Sequence, residues 1–159
     1  MSTTTTLANR VDIRGPRFVA GVTTGVLVLI LLFAAFAPFV ATVLIAVQTL
    51  VFALGAWLGP RRHPYGLAYA RFIAPRLGPA TETEPPAPLR FAQLLGFVFA
   101  AVSLLGLLLG STTVGALFAG FALFAAFLNA AFGVCLGCKL YPLVTRLRLN
   151  TLSEFPASN

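Results

Sequence analysis

Two stretches of the chain, Phe18–Pro60 and Phe91–Cys138, contain no Lys, Arg, Asp or Glu. Each is about twice as long as the roughly 20 residues that one helix needs to cross a bilayer. Backbone amides in hydrocarbon must be paired within their own segment, so runs of this kind fill with helix. Each stretch is therefore expected to form two membrane-spanning helices joined by a tight turn. The composition agrees, with 58% hydrophobic residues, 9% charged residues and a mean hydropathy of +0.93, where soluble domains carry about 25% charge. The polar opening residues do not read as a cleaved signal peptide, which pairs a basic start with a short apolar core.

The turns are placed by the breaks in the runs. Proline removes a helix hydrogen bond and clashes with the preceding turn, so the first run turns at Ala37-Pro38. The only polar cluster of the second run, Gly110-Ser111-Thr112-Thr113, divides it in the same way. The expected helices are 18–36, 39–58, 91–109 and 114–136. The expected fold class is all-α, an integral membrane four-helix bundle of two transmembrane hairpins. It is read as a single domain over residues 1–158, with flexible tails at 1–13 and 150–159.

With four crossings, all eleven basic residues fall on one side and the two connecting turns carry no charge. Positive residues at membrane ends favour the cytoplasm, so both termini and the middle loop are expected there. Arg14, Arg17, Arg61, Arg62, Arg71, Arg76, Arg90 and Lys139 are candidate lipid-headgroup contacts, each attracted to anionic lipid by about 1 kcal/mol. The net charge of +7 is explained by topology. No interleaving of aromatic and basic residues on a soluble face supports nucleic-acid binding.

The middle loop, 59–89, holds Tyr65-Gly66-Leu67-Ala68-Tyr69-Ala70-Arg71-Phe72-Ile73, which fits a short interfacial helix opened by Pro64 and closed by Pro75. Leu67, Tyr69, Phe72 and Ile73 would dip into lipid. The Pro-rich stretch from Pro79 to Pro88 is read as extended. Each helix carries one Gly-x-x-x-Gly pair (Gly21/Gly25, Gly55/Gly59, Gly106/Gly110 and Gly133/Gly137). Such pairs form grooves that let helices approach, so the bundle is expected to be packed through them and tightest at the basic end.

No Asp, Glu, Lys, Arg or His lies inside the expected helices, which counts against a proton-coupled transporter or a channel for charged solutes. Gln48, Thr49, Ser103 and Asn129 are the polar residues noted there. They are read as hydrogen-bonding groups between helices, with a substrate cavity as the other use. Phe118, Phe121, Phe124, Phe127 and Phe132 form a stripe that suits packing or lipid contact and could also flank a quinone or haem. No resident cofactor is expected.

The one reactive constellation is Cys135-Leu136-Gly137-Cys138, followed by Lys139. Thiols one helical turn apart can form a disulfide or share a metal. In a reducing compartment a permanent structural disulfide is not expected. Read as the C-terminal end of the fourth helix, the site lacks the helix N-terminus that helps a thiolate form. A structural zinc takes four ligands. Cys135, Cys138 and the only histidine, His63, supply at most three in one chain. For His63 alone an interfacial or hydrogen-bonding role is the plainer reading.

Several segments together carry a resemblance: Val11 to Phe18, Gly59-Pro60-Arg61-Arg62-His63-Pro64-Tyr65-Gly66, Arg76 to Pro79, Arg90-Phe91-Ala92-Gln93, and Gly133 to Cys138. From about Val11 to Pro142 the chain resembles a bacterial family of small four-helix integral membrane proteins classed as a domain of unknown function, with a C-terminal C-x-G-C motif. The resemblance implies a multi-pass protein of the bacterial plasma membrane. It also implies an association with thioredoxin-like or sulfurtransferase partners. The leading expectation is a thiol-redox or sulfur-relay role for Cys135 and Cys138, more as a membrane component than as a stand-alone enzyme. The alternatives are a scaffold or accessory subunit of a membrane complex, and a small transporter of a neutral or sulfur-containing solute through a cavity lined by Gln48, Ser103 and Asn129. A homo-oligomer is compatible with either.

Overall fold

A computed structural model describes residues 10–60, 62–80 and 82–153. Over them the chain runs β1 (Val11–Asp12), α1 (Arg14–Phe36), α2 (Pro38–Leu58), α3 (Pro64–Phe72), α4 (Ala74–Leu77), β2 (Thr83–Glu84), α5 (Pro86–Leu108), α6 (Thr112–Phe132) and α7 (Leu136–Ser153). Helices α1, α2, α5 and α6 are each long and apolar enough to cross a membrane. They form the expected four-helix membrane bundle of two hairpins.

The turns follow local chemistry. Pro38 sits in the first turn of α2, where its missing N–H has no helical partner to lose. Ser111 caps α6, its hydroxyl accepting the Val114 N–H at 3.4 Å. Prolines at 86 and 88 lie in the first turn of α5, so that helix begins earlier than residue 91 and takes over part of the stretch expected to be extended. The loop helix α3 is present and opens at Pro64; it ends at Phe72, and Pro75 lies in the first turn of the short helix α4.

The largest departure is at the end of α6. Gly133 adopts a left-handed backbone with φ of +66°, and its N–H bonds the Asn129 carbonyl at 3.0 Å. The helix stops at Phe132 instead of continuing to residue 136. A new helix, α7, starts at Leu136 and runs through Asn150 to Ser153. The cysteines therefore lie where a helix begins, not where one ends.

The sealed core lies in the half of the bundle away from the basic residues. Leu27, Ile30 and Ala34 of α1 meet Ala41 and Ile45 of α2, Ala100 of α5, and Ala119 and Ala122 of α6. At the adjoining turn Ser103 donates to the Gly115 carbonyl at 2.7 Å. A methyl group at Gly106 would lie 2.8 Å from the Gly115 nitrogen, so the two helices meet backbone to backbone. The expectation that all four glycine pairs build interfaces fails. Gly21 and Gly25 face open space, and Gly59 and Gly110 have positive φ at helix ends. The close approaches use single glycines, because the neighbouring helices cross each groove at one point.

Candidate functional site

The basic end is built differently. Residues 10–13 are ordered, against the expected flexible tail. Val11 and Asp12 pair antiparallel with Glu84 and Thr83. Asp12 accepts the Arg14 backbone N–H at 3.0 Å and forms an ion pair with its guanidinium at 3.0 Å. Arg14 also donates to the carbonyls of Leu77, Gly78 and Pro79. The Tyr69 hydroxyl donates to Asp12 at 3.4 Å. Burial alone would raise the Asp12 carboxyl, but the Arg14 hydrogen bonds and charge outweigh it and hold the group below its ordinary value. Burial pushes Tyr69 up. This latch ties the N-terminal segment to the middle loop and seats the buried Tyr69 against α1.

Under the latch lies a cavity of about 490 Å³ between α1, α5 and the middle loop, reached by Phe52 of α2 and Ala126 of α6, with His63, Thr23, Tyr69 and Gln93 in its wall. His63 is only 1% exposed, and among the described residues neither ring nitrogen has a hydrogen-bond partner. The Gln93 Oε1 is likewise buried and unpartnered. Both side chains press on Gly55 of α2. A methyl there would lie 2.6 Å from His63 Cδ2 and 3.0 Å from Gln93 Cδ, so only glycine admits the pair. Burial depresses the His63 imidazole to about 4, which keeps the ring neutral. The Tyr65 ring stands edge-on to it at 5.3 Å, and its hydroxyl donates to Gln48 Oε1 at 3.0 Å. Burial raises Tyr65. His63 is thus neither interfacial nor hydrogen-bonded, because the loop folds back into the bundle rather than lying outside it.

Cys135 and Cys138, whose state the sequence left open, are joined in a disulfide with their Cα atoms 5.2 Å apart. The Cys135 carbonyl accepts the Lys139 N–H at 3.1 Å, and its sulfur accepts the Cys138 N–H at 3.3 Å. Cys135 therefore occupies the capping position of α7, a place usually held by Ser, Thr, Asp or Asn. Both cysteines are half-buried. α7 is seated on α5: a methyl at Gly137 would lie 2.5 Å from Ala92 Cα, and the Tyr141 ring packs on Phe91 at 6.0 Å. Cys135 lines a cleft of about 70 Å³ that shares Phe52, Ala92, Gln93 and Ala126 with the large cavity.

His63 does not join the cysteines as ligands. Among the described residues no three His, Cys, Asp or Glu side chains gather closely enough to hold a metal. Of the candidate headgroup contacts, Arg17, Arg62, Arg71, Arg76 and Lys139 are exposed, and Arg61 lies outside the described residues. Arg14 belongs to the latch. Arg90 donates to the Ala56 and Trp57 carbonyls and so closes the last turn of α2. None of Gln48, Ser103 and Asn129 lines the large cavity. Thr49 bonds back to Ile45 of its own helix. Phe121, Phe124, Phe127 and Phe132 are exposed, as lipid-facing rings are. Gln93 was missed as a site residue; the available signal was an amide inside a charge-free run, one turn after Arg90.

The fold and this site define a multi-pass membrane protein of four apolar spans, with a bridged cysteine pair beside a cavity at its basic end. The chain belongs to the family described as Domain of unknown function (DUF4395), whose model matches residues 11–146. No curated protein and no solved structure matches it.

Proposed function

We propose that the protein exchanges electrons or sulfane sulfur through Cys135 and Cys138 at the cytoplasmic face of a bacterial plasma membrane, with both termini inside. The observation that carries this reading is the placement of the pair at the start of α7. There the helix carries partial positive charge, which favours an anion, and a peptide N–H already points at the Cys135 sulfur. Lys139 adds a positive charge next to the pair. These conditions favour Cys135 as the attacking thiolate once the bond is opened.

Exchange proceeds by attack of a partner thiolate on one sulfur of the bridge. The S–S bond breaks, a mixed disulfide forms, and the second thiolate of the partner releases a dithiol here and a disulfide there. A thioredoxin-like dithiol has this chemistry; a sulfurtransferase persulfide would instead pass its outer sulfur to the Cys135 thiolate of the opened pair, its S–S bond breaking as the new one forms and its own sulfur leaving as a thiolate. The test is trapping in membranes. Cys138→Ser should accumulate a mixed disulfide on Cys135, and Cys135→Ser should not. If neither variant traps a partner, and the wild-type disulfide resists thioredoxin in the folded protein, the proposal fails. A C-terminal tag reached from outside the cell would sink the orientation.

A further inference from the structure

The cavity beneath the latch has no role in thiol exchange with a soluble partner, yet it is the larger feature. Its wall is mostly apolar and comes from α1, α5, the N-terminal segment and the middle loop, with one residue each from α2 and α6. A volume near 490 Å³ is within the range of small-molecule sites, about 300–1,000 Å³. Two polar side chains in that wall, His63 and Gln93, contain buried atoms that find no partner among the described residues. Leaving such atoms unpaired is costly, so a ligand that supplies partners binds more tightly for it. The His63 ring is neutral, so it offers one N–H donor and one acceptor nitrogen. Gln93 offers an acceptor oxygen, with its amide N–H₂ on the same group. Such a wall selects a neutral, lipid-soluble molecule that carries carbonyl or hydroxyl groups.

The cavity also abuts the cysteine cleft through Phe52, Ala92, Gln93 and Ala126. Gln93 is common to both, and Gly137 in the cysteine turn rests directly on Ala92. A dithiol becoming a disulfide gives up two electrons and two protons. A quinone takes up two electrons and two protons in becoming a quinol. We propose that the cavity binds an exchangeable membrane quinone that oxidises the Cys135–Cys138 dithiol. In the step, both S–H bonds break and the S–S bond forms. The two electrons reduce the ring and the two protons finish on its two oxygens, so no further reagent is needed. His63 donates to a quinone carbonyl, and Gln93 accepts from the quinol hydroxyl. The quinone is a substrate that arrives and leaves through the membrane. The chemistry rests on the thiol reading above; the binding site does not.

The experiment uses the full chain in lipid nanodiscs and decylubiquinone, whose fully substituted ring has no open C–H position for thiol addition. Native mass spectrometry counts bound quinone, while absorbance and thiol titration follow reduction under anaerobic conditions. The Cys135→Ser/Cys138→Ser double variant should bind one quinone per chain and reduce none. Reduced wild type should convert one quinone for each thiol pair lost. His63→Leu and Gln93→Leu should each weaken binding about tenfold, the loss expected for one buried hydrogen bond. Ala20→Phe, which fills the cavity, should abolish it. Absence of saturable binding, or equal binding to wild type and Ala20→Phe, overturns the proposal even where thioredoxin still exchanges with the cysteines. Quinone bound but never reduced by the dithiol overturns the redox step. If thioredoxin exchange also fails, the thiol reading falls with it.

Discussion

The two ends of the bundle are made from similar apolar residues but are packed in opposite ways. At the uncharged end, Gly106 meets Gly115 backbone to backbone, and Ser103 finds its acceptor on the facing helix. At the basic end a cavity opens between α1, α5 and the middle loop, and its wall holds buried polar atoms of His63 and Gln93 that none of the described residues pairs. In a bilayer no hydrophobic force draws helices together, since lipid is as apolar as leucine; close packing and hydrogen bonds must do so. A helix pair can thus close tightly at one end and leave space at the other, provided something else spans the gap. Here the latch of Asp12, Arg14 and Tyr69, together with α7 seated on α5, holds the open end together.

This contrast can be broken most sharply with acid. His63 stays neutral in the folded protein down to about pH 4, whereas in an unfolded chain it takes up a proton near pH 6.5. Between those values the unfolded state binds more protons, so stability must fall as pH drops from about 6.5 to about 4. The loss should reach roughly 3 kcal/mol. Denaturation midpoints of wild type and His63→Leu in the same detergent, measured across that range, should show the dependence only in wild type. Arg10, Asp12 and Tyr69 share the cavity wall and Tyr65 faces the ring; burial raises both tyrosines, and the depressed Asp12 carboxyl titrates below the His63 window.

Next in size is a pair of glycine substitutions. Gly106→Ala drives a methyl into backbone at the closed end and should cost about 1–3 kcal/mol, with little change in the rate at which thioredoxin or dithiothreitol opens the disulfide. Gly137→Ala strikes Ala92 at the open end. It should alter that rate while leaving the melting of the four spans nearly unchanged. Equal effects of both variants on disulfide reactivity would show that the two ends are mechanically coupled.

A smaller effect is expected at the latch. Asp12→Asn removes a partly buried ion pair and should cost about 1 kcal/mol. Its clearer signature is faster proteolysis of the segment around Pro79 in membranes. Smallest of all, Ser103→Ala removes one hydrogen bond between helices, worth about 0.6 kcal/mol on average in membrane proteins. It should leave quinone binding and disulfide exchange untouched.

What the linear order of residues determined was the membrane class, the number of spans and the shared side of the charges. Uncharged runs leave no other way to satisfy the backbone in lipid, and Pro38 and Ser111 mark turns by rules that act within a few residues. Periodicity could not reveal that Gly133 would take a left-handed turn, because Val134, Cys135 and Leu136 read equally well as one more turn of helix. That single backbone angle moves the cysteines from the negative end of one helix to the positive end of another. The burial of His63 and Gln93 against Gly55 was also illegible. It depends on where the loop after α2 folds back and on which point of α5 crosses α2, and both are decided by contacts between residues far apart in the chain.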